Sequence, residues 1–175
     1  MNINEFQQLK QYQDDYPDWF LSADSLTKNL IALNQGQFSV KKLKQVWRIL
    51  PSRVAGKLRC APRSMGIERQ VLLYINDQPV IFAQTWMPYF SIRGDLLHIK
   101  NLQNNSLGAI LFTQASCKRS PLHLFYRKIK TNLSCHKIDI SNEKLTREST
   151  LTVKDKPFLI TESYLPPIKK GIYYG

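Results

Sequence analysis

Two charged residues occupy positions at which the sequence pattern predicts apolar surroundings. Because alternate residues of a strand point to one face, Arg69 shares a face with Ile67 and Val71, and Glu162 shares one with Ile160. A buried charge costs several kcal/mol unless it is paired or hydrogen-bonded. Each residue therefore belongs to a core ion pair, in the simplest case with the other, or faces outward on a two-sided sheet, or lines a ligand cavity.

Two predicted helix starts offer a further kind of anion-binding group. Ser25 precedes helix-spaced leucines that begin with Leu26, and Ser106 precedes an apolar run that begins with Leu107 and Gly108. The first backbone N–H groups of a helix are unpaired and carry partial positive charge, which suits an anion. Ordinary surface capping is the alternative. Together with an inward arginine, whose fork matches two carboxylate oxygens, these helix starts favour a small carboxylate as ligand.

Other kinds of chemistry find little support in the sequence. His98, His123 and His136 lie far apart, and no zinc-binding spacing, clustered carboxylates or glycine-rich phosphate loop is present. Cys135 is adjacent to His136, which does not fit a zinc site or a thiolate–imidazole pair. We therefore expect no metal site.

Length and composition indicate one globular domain. The chain has 175 residues, of which 43% are hydrophobic, enough to bury a substantial core. We expect a loosely ordered arm over residues 1–16 and a single domain over residues 17–175. The longest apolar run, Val71 to Ile75, is too short to span a membrane. Three scattered cysteines fit a reducing compartment better than a disulfide framework.

The chain is strongly basic, with 25 Lys and Arg against 13 Asp and Glu and a net charge of +12. The stretch 41–69 has nine cations against one acid, Glu68, and the stretch 118–130 has five cations and no acid. Such a surface attracts phosphate or a small dianion, or is simply solvated lysine and arginine. No nucleic-acid recognition motif accompanies the charge, so we expect no nucleic-acid partner.

The hydrophobic pattern predicts an α+β domain built on an antiparallel sheet. The clearest signal is a β-hairpin over Ile67 to Met87 with its turn at residues 76–79. Residues 51–66 read as a basic loop. Further predicted strands cover residues 38–40, 45–50, 122–130, 133–140, 147–153 and 158–165, and predicted helices cover residues 26–33, 95–102 and 107–112.

The order of these features resembles the chorismate pyruvate-lyase family, from about Asp18 to Pro166. The resemblance is strongest to a divergent branch found in cyanobacteria and red-algal plastids. It rests on four segments taken together: Asp24-Ser25-Leu26-Thr27-Lys28, Glu68-Arg69-Gln70-Val71-Leu72-Leu73, Ser106-Leu107-Gly108, and Lys156-Pro157-Phe158-Leu159-Ile160-Thr161-Glu162-Ser163-Tyr164-Leu165-Pro166.

The resemblance implies a central antiparallel sheet of about six strands, with helical flaps over a buried ligand cavity. It implies removal of pyruvate from chorismate to give 4-hydroxybenzoate, without metal or organic cofactor. Arg69 would hold the ring carboxylate with the backbone N–H groups of Leu26 and Leu107. Glu162 would meet the ring hydroxyl at the opposite end, either as a base or as an orienting hydrogen-bond partner.

The resemblance has departures and leaves alternatives. Gln84 stands where well-known bacterial members place an arginine beside the pocket, and Arg119 and Arg147 are candidates to compensate. The same fold serves as an effector domain in some transcription regulators, so a non-catalytic module that binds small carboxylates is the alternative function.

The expected partners and compartment follow from the same resemblance. We expect chorismate and 4-hydroxybenzoate as ligands, no membrane insertion and a monomer. The product would feed quinone synthesis, plastoquinone in an oxygenic phototroph. The bias toward Lys, Asn and Ile and the absence of a transit peptide favour a plastid stroma or a bacterial cytoplasm.

Overall fold

The computed structural model describes residues 16, 18–22, 25–33, 37–112, 116–133, 136, 138 and 140–165. The N-terminal arm predicted over residues 1–16 lies outside this range except for Tyr16. Asp24 and residues 34–36, which follow the predicted helix over 26–33, also lie outside it. Among the described residues, no helix is long and apolar enough to cross a membrane.

In the part of the chain that the structure describes, the fold has seven strands, four short α-helices and two 3-10 helices. The helices are α1 (Asp18–Leu21), α2 (Leu26–Leu33), α3 (Ser52–Lys57) and α4 (Leu107–Phe112), with 3-10 helices at Tyr89–Ile92 and Gly94–Asn101. The strands are β1 (Phe38–Ile49), β2 (Met65–Ile75), β3 (Gln78–Pro88), β4 (Lys118–Arg119), β5 (His123–Arg127), β6 (Lys144–Val153) and β7 (Lys156–Tyr164).

The strands form one antiparallel sheet in the order β1-β2-β3-β7-β6-β4, with β5 also paired to β6. The α+β class predicted from the sequence is thus confirmed, with seven strands rather than six. The central strand β7 pairs with β3 on one side and β6 on the other. This topology brings the C-terminal strand beside the β2–β3 hairpin.

The two strong hairpins close with left-handed turn residues. Asn76 and Asp77 join β2 to β3 with φ of 46° and 61°, and Lys154 and Asp155 join β6 to β7 with φ of 48° and 62°. Two consecutive positive φ values define a type I′ turn, whose twist matches that of the flanking strands. The turn within the predicted segment 76–79 is therefore only two residues long.

Both faces of the sheet are covered, which explains the long runs of buried residues in β2, β3 and β7. One face carries Val71, Leu73 and Ile160 toward α2, α4 and the 3-10 helices. The other face carries Phe82 and Trp86 against α3 and the chain that follows β5. Alternate residues of β2 and β3 therefore line two separate chambers.

Four local predictions need correction. The predicted strands at residues 38–40 and 45–50 form one strand, β1, with a bulge between Lys42 and Lys44. The basic loop contains α3. The strand predicted over residues 133–140 is wrong for its described part, because Leu133, His136, Ile138 and Ile140 lie outside strands. The predicted helix over 95–102 is a 3-10 helix.

Candidate active site

Arg69 is a buried cation on β2 whose hydrogen-bond partners, in the described part of the chain, are all neutral. Its side chain is 2% exposed. Its Nη1 donates to Gln45 Oε1 at 2.9 Å, and its Nη2 donates to the carbonyl oxygens of Gln103 at 2.7 Å and Asn105 at 3.0 Å. Burial lowers the pKa of Arg69, although a guanidinium stays charged near neutral pH. The positive charge is thus left for an anionic ligand to balance.

Glu162 forms its ion pair with Arg147 on β6 and not with Arg69. Arg147 is directly opposite Glu162 in the sheet and donates from Nε to Glu162 Oε2 at 2.6 Å. Arg147 Nη1 also donates to the carbonyl oxygens of Phe20 at 2.9 Å and Ser22 at 2.7 Å, so this side chain ties α1 to the sheet. A core pair between Arg69 and Glu162, one of the sequence-based alternatives, is therefore excluded.

The N-terminal ends of α2 and α4 lie over this part of the sheet. Ser25 caps α2, since its Oγ accepts the Lys28 N–H at 3.4 Å. Ser106 lies just before α4, and its Oγ is 2.8 Å from Thr27 Oγ1. We call α2 and α4 the two flaps. The Thr27–Ser106 hydroxyl contact joins them above the sheet. A Cβ added at Gly108 would lie 3.6 Å from Thr27 Oγ1, an ordinary contact distance.

One pocket is lined by all four residues predicted from the sequence to bind the ligand: Leu26, Arg69, Leu107 and Glu162. Its walls come from the sheet, the starts of α2 and α4, and Arg119. Arg69 and Glu162 lie two strands and two residues apart, which places their Cα atoms about 12 Å from each other. Small and apolar side chains, Val71, Ala83 and Ile160, lie between them. The pocket thus has a cation at one end, a carboxylate at the other and an apolar middle.

Gln84 does not line this pocket. It lies opposite Gln70 on the other face of the sheet, where its Nε2 donates to Glu68 Oε1 at 2.7 Å. The departure at Gln84 therefore leaves the lining of the Arg69 pocket unchanged. Arg147 acts on Glu162 and does not replace a missing cation, whereas Arg119 does line the pocket.

The role of Arg147 was not recognised from the sequence, although a signal existed. Arg147 is two residues from Leu145 and two from Ser149 on β6. Because every second residue of a strand points to the same face, the sequence places Arg147 on the face of the buried Leu145. Its pairing with Glu162 depends on the register between β6 and β7, which the pattern of either strand alone does not give. Among the described residues, no three His, Cys, Asp or Glu lie close enough to hold a metal ion.

Solved structures with a similar fold come from transcriptional regulators. The chain is similar in structure to a GntR-family transcriptional regulator from Bacillus cereus, with a TM-score of 0.56, 15% identity, and coverage of 77% of this chain and 96% of that one. It is also similar to the effector domain of PhnF from Mycobacterium smegmatis, with a TM-score of 0.57, 13% identity, and coverage of 81% and 88%. At such identities the likeness concerns the fold alone.

Sequence relatives give the family. The chorismate lyase family model matches residues 4–172. A "Probable chorismate pyruvate-lyase" from Psychromonas ingrahamii is 30% identical over 160 residues, 89% of this chain and 84% of that protein. One of the same name from Nitrosospira multiformis is 28% identical over 156 residues, 86% of each chain. The chain belongs to the chorismate lyase family, a family of carbon–oxygen lyases.

Proposed function

We propose that the protein removes pyruvate from chorismate and releases 4-hydroxybenzoate, using the pocket between Arg69 and Glu162. The observation that carries this proposal is the Arg69 guanidinium, which is buried and, among the described residues, bonded only to neutral oxygens. A site that holds an uncompensated cation favours an anionic ligand over a neutral one. Membership of the chorismate lyase family supplies the identity of the acid.

Arg69 would bind the ring carboxylate of chorismate. Its guanidinium already has fixed neutral acceptors at Gln45, Gln103 and Asn105, so it is oriented before a ligand arrives. The starts of α2 and α4, at Leu26 and Leu107, would add backbone N–H donors to the same carboxylate. Preset donors of this kind lose little energy to reorganisation when charge develops during a reaction.

Glu162 would accept a hydrogen bond from the ring hydroxyl. Its Oε2 is occupied by Arg147, and no hydrogen bond to Oε1 is seen among the described residues. The bond from Arg147 fixes the carboxylate in place and leaves Oε1 as the acceptor for the ring hydroxyl. This pairing supports an orienting role for Glu162 over that of the base that takes the hydrogen from the ring.

The reaction itself needs few groups. The C–O bond to the enolpyruvyl group breaks, the ring hydrogen beside the hydroxyl moves to the methylene carbon of that group, and the ring becomes aromatic. Pyruvate and 4-hydroxybenzoate together account for all atoms of chorismate. The protein holds the ring at both ends, and the closed flaps keep water from the breaking bond.

Purified protein incubated with chorismate tests this proposal by the absorbance of 4-hydroxybenzoate. Arg69→Met should lower kcat/KM by about 100-fold or more, because the charge that holds the acid is lost. Arg93→Met removes an exposed arginine outside the pocket and should leave the rate unchanged. Circular dichroism shows whether each variant keeps its fold. Equal rates for both variants would contradict the assignment of the pocket.

Glu162→Gln separates the two roles of the carboxylate. The amide keeps a hydrogen-bond acceptor for the ring hydroxyl but removes the base, so turnover within about tenfold of the original supports orientation. A loss of more than 1000-fold in a variant that still binds 4-hydroxybenzoate would instead identify Glu162 as the required base.

A non-catalytic module that binds small carboxylates is the second candidate. It is favoured by the structural likeness to the effector domain of PhnF and to a GntR-family regulator. Tight binding of 4-hydroxybenzoate by protein that forms none of it from chorismate would support this candidate. Detectable turnover that depends on Arg69 would exclude it.

The use of the product and its place in the cell belong to the same proposal. The family supports delivery of 4-hydroxybenzoate to quinone synthesis, and the Lys, Asn and Ile bias supports a plastid stroma or a bacterial cytoplasm. A functional monomer is part of the same proposal. Growth and quinone content of a bacterial strain that requires added 4-hydroxybenzoate, with and without this protein, tests the first part. Sedimentation tests the last.

A further inference from the structure

We propose that the opposite face of the sheet carries a second site, which binds a small molecule with two or more phosphate groups. This face holds an open groove of about 1380 Å³. Its floor consists of the residues that alternate with those of the Arg69 pocket, including Glu68, Gln70, Phe82 and Gln84. The sheet lies between the two chambers, so the groove is a separate site and not an extension of the pocket.

The groove has a large excess of positive charge. Its lining includes seven Lys and Arg side chains and two carboxylates, Glu68 and Glu143. All seven lie in the two basic stretches of the sequence, 41–69 and 118–130. The fold brings these together from β1 and α3 on one wall and from β5 and the segment after it on the other. The lining cations are Lys44, Arg48, Arg53, Lys57, Arg127, Lys128 and Lys130.

The buried carboxylates near the groove do not neutralise this charge. Glu68 accepts from Arg48 Nη1 at 2.8 Å and lies 3.5 Å from Lys44 Nζ. Glu148 accepts two bonds from Arg53, each 2.8 Å long, and a further bond from Lys57. Each carboxylate is thus shared by two cations, and each cluster keeps a net positive charge next to the groove.

Arg127 supplies a donor that is already oriented in the groove. Its Nε donates to Ser163 Oγ and its Nη1 donates to Gln84 Oε1, both at 3.1 Å. Gln84 is held in turn by its bond to Glu68. Arg127 Nη2 is buried and has no hydrogen-bond partner among the described residues. Burial lowers the pKa of Arg127 to about 10, which is the cost of a cation whose nearest hydrogen-bond acceptors are neutral.

The arrangement favours a compact polyphosphate over a single carboxylate. A single carboxylate is too small to meet cations on both walls and Arg127 between them. Single-stranded nucleic acid stacks its bases on exposed aromatic rings; Phe82 and Trp86 on the floor are 2% and 5% exposed, but Tyr126 on the wall is 46% exposed, so an oligonucleotide is the competing ligand of the test below. Two or three linked phosphates place several oxygens within reach of both ammonium and guanidinium donors, which bind phosphate strongly.

Inorganic pyrophosphate, titrated into the full-length protein by calorimetry, tests the proposal. We expect saturable binding of one pyrophosphate per chain. Arg127→Met should weaken it by at least about tenfold, whereas Arg93→Met, the matched loss of an exposed arginine, should change it less than twofold. Arg69→Met should also leave it unchanged, which separates this site from the candidate active site.

A second variant guards against misfolding of Arg127→Met. Lys128→Gln combined with Lys130→Gln changes two exposed side chains of the groove, and it should weaken pyrophosphate binding by about tenfold while leaving the fold intact. Binding that is absent, or weakened equally by Arg93→Met, overturns the proposal. Tighter binding of a single-stranded oligonucleotide than of pyrophosphate, with the same dependence on Arg127, overturns it in favour of a nucleic-acid site.

Discussion

At the scale of single residues, Arg147 determines what the carboxylate of Glu162 can do. Arg147 is fully buried, and its guanidinium bonds both to Glu162 and to the backbone of α1. Its Nη2 has no hydrogen-bond partner among the described residues. One side chain therefore holds the candidate hydroxyl acceptor in place and ties it to α1.

Arg147→Met should destabilise the protein by about 3–5 kcal/mol, because it leaves the Glu162 carboxylate buried without its cation. Urea unfolding measures this loss. Arg147→Met combined with Glu162→Gln should recover at least half of it, since no buried charge then remains unpaired, but should not recover lyase activity. A double variant as unstable as the single one would show that Arg147 acts through its bonds to Phe20 and Ser22 instead.

Much of the candidate site follows from residue spacing, and the rest does not. Strand alternation alone places Arg69 and Glu162 on buried faces. The partners of these residues come from remote parts of the chain: Gln45, Gln103 and Asn105 for Arg69, and Arg147 for Glu162. Such contacts depend on strand register and on loop conformation, which a local pattern does not contain.

At the scale of elements, the contact between α2 and α4 decides how tightly the pocket is closed. It includes the hydroxyl pair of Thr27 and Ser106. Thr27→Val keeps the shape of the side chain and removes the bond, worth about 0.5–1.5 kcal/mol. We expect 4-hydroxybenzoate to dissociate several-fold faster, as measured by stopped-flow fluorescence. Thr152→Val, on β6 away from the flaps, serves as the control. Identical rates for the two variants would show that the Thr27–Ser106 contact does not hold the pocket closed.

Two glycines give a matched pair of opposite predictions. A Cβ at Gly66 in β2 would lie 2.6 Å from the Met87 carbonyl oxygen and 2.7 Å from Leu50 Cδ2, whereas one at Gly56 in α3 would meet nothing within 4 Å. Gly66→Ala should therefore cost about 1–3 kcal/mol through overpacking. Gly56→Ala should add about 0.5–1 kcal/mol through reduced backbone entropy in a helix. Thermal unfolding distinguishes them, and a tolerated Gly66→Ala would mean that β2 and β3 can separate locally.

The elements missed from the sequence have physical explanations. Helix α3 has only six residues, which is too short to show a helical hydrophobic period, and it includes Gly56. This helix therefore depends on the packing of Val54 and Ala55 against Trp86. The segment 133–140 has strand-like alternation in sequence, but its described residues, Leu133, His136, Ile138 and Ile140, belong to no strand of the sheet. Propensity alone does not supply a pairing partner.

At the scale of the whole molecule, buried carboxylates make stability depend on pH. Burial raises the pKa of Glu148, but bonds from Arg53 and Lys57 outweigh it and lower the pKa from its usual 4.5 to about 2. Burial also raises the pKa of Glu68, but hydrogen bonds from Arg48, Gln84 and Gln70 outweigh this effect. The pKa of Glu68 is therefore lowered overall. A carboxylate with a lowered folded pKa stabilises the protein above its unfolded pKa and loses this effect as pH falls.

We therefore expect the free energy of unfolding to fall steadily between about pH 5 and pH 2, as the unfolded chain takes up protons more readily than the folded one. Urea unfolding at a series of pH values measures the slope. Glu148→Gln should be less stable at pH 7 and should show a shallower slope over this interval. A slope that the substitution does not change would mean that other carboxylates dominate acid unfolding.

The position of β1 gives part of the net charge of +12 a further meaning. Strand β1 is twelve residues long and, among the described strands, pairs only with β2. No described strand covers its other side, and open edges invite pairing between molecules. Three features oppose this: the bulge at Lys42, the Asn104 side chain that accepts the Lys42 backbone N–H, and the lysines at 41, 42 and 44. Lysines on this strand thus protect the protein against edge-to-edge aggregation, and neutralising them together would expose a template for it.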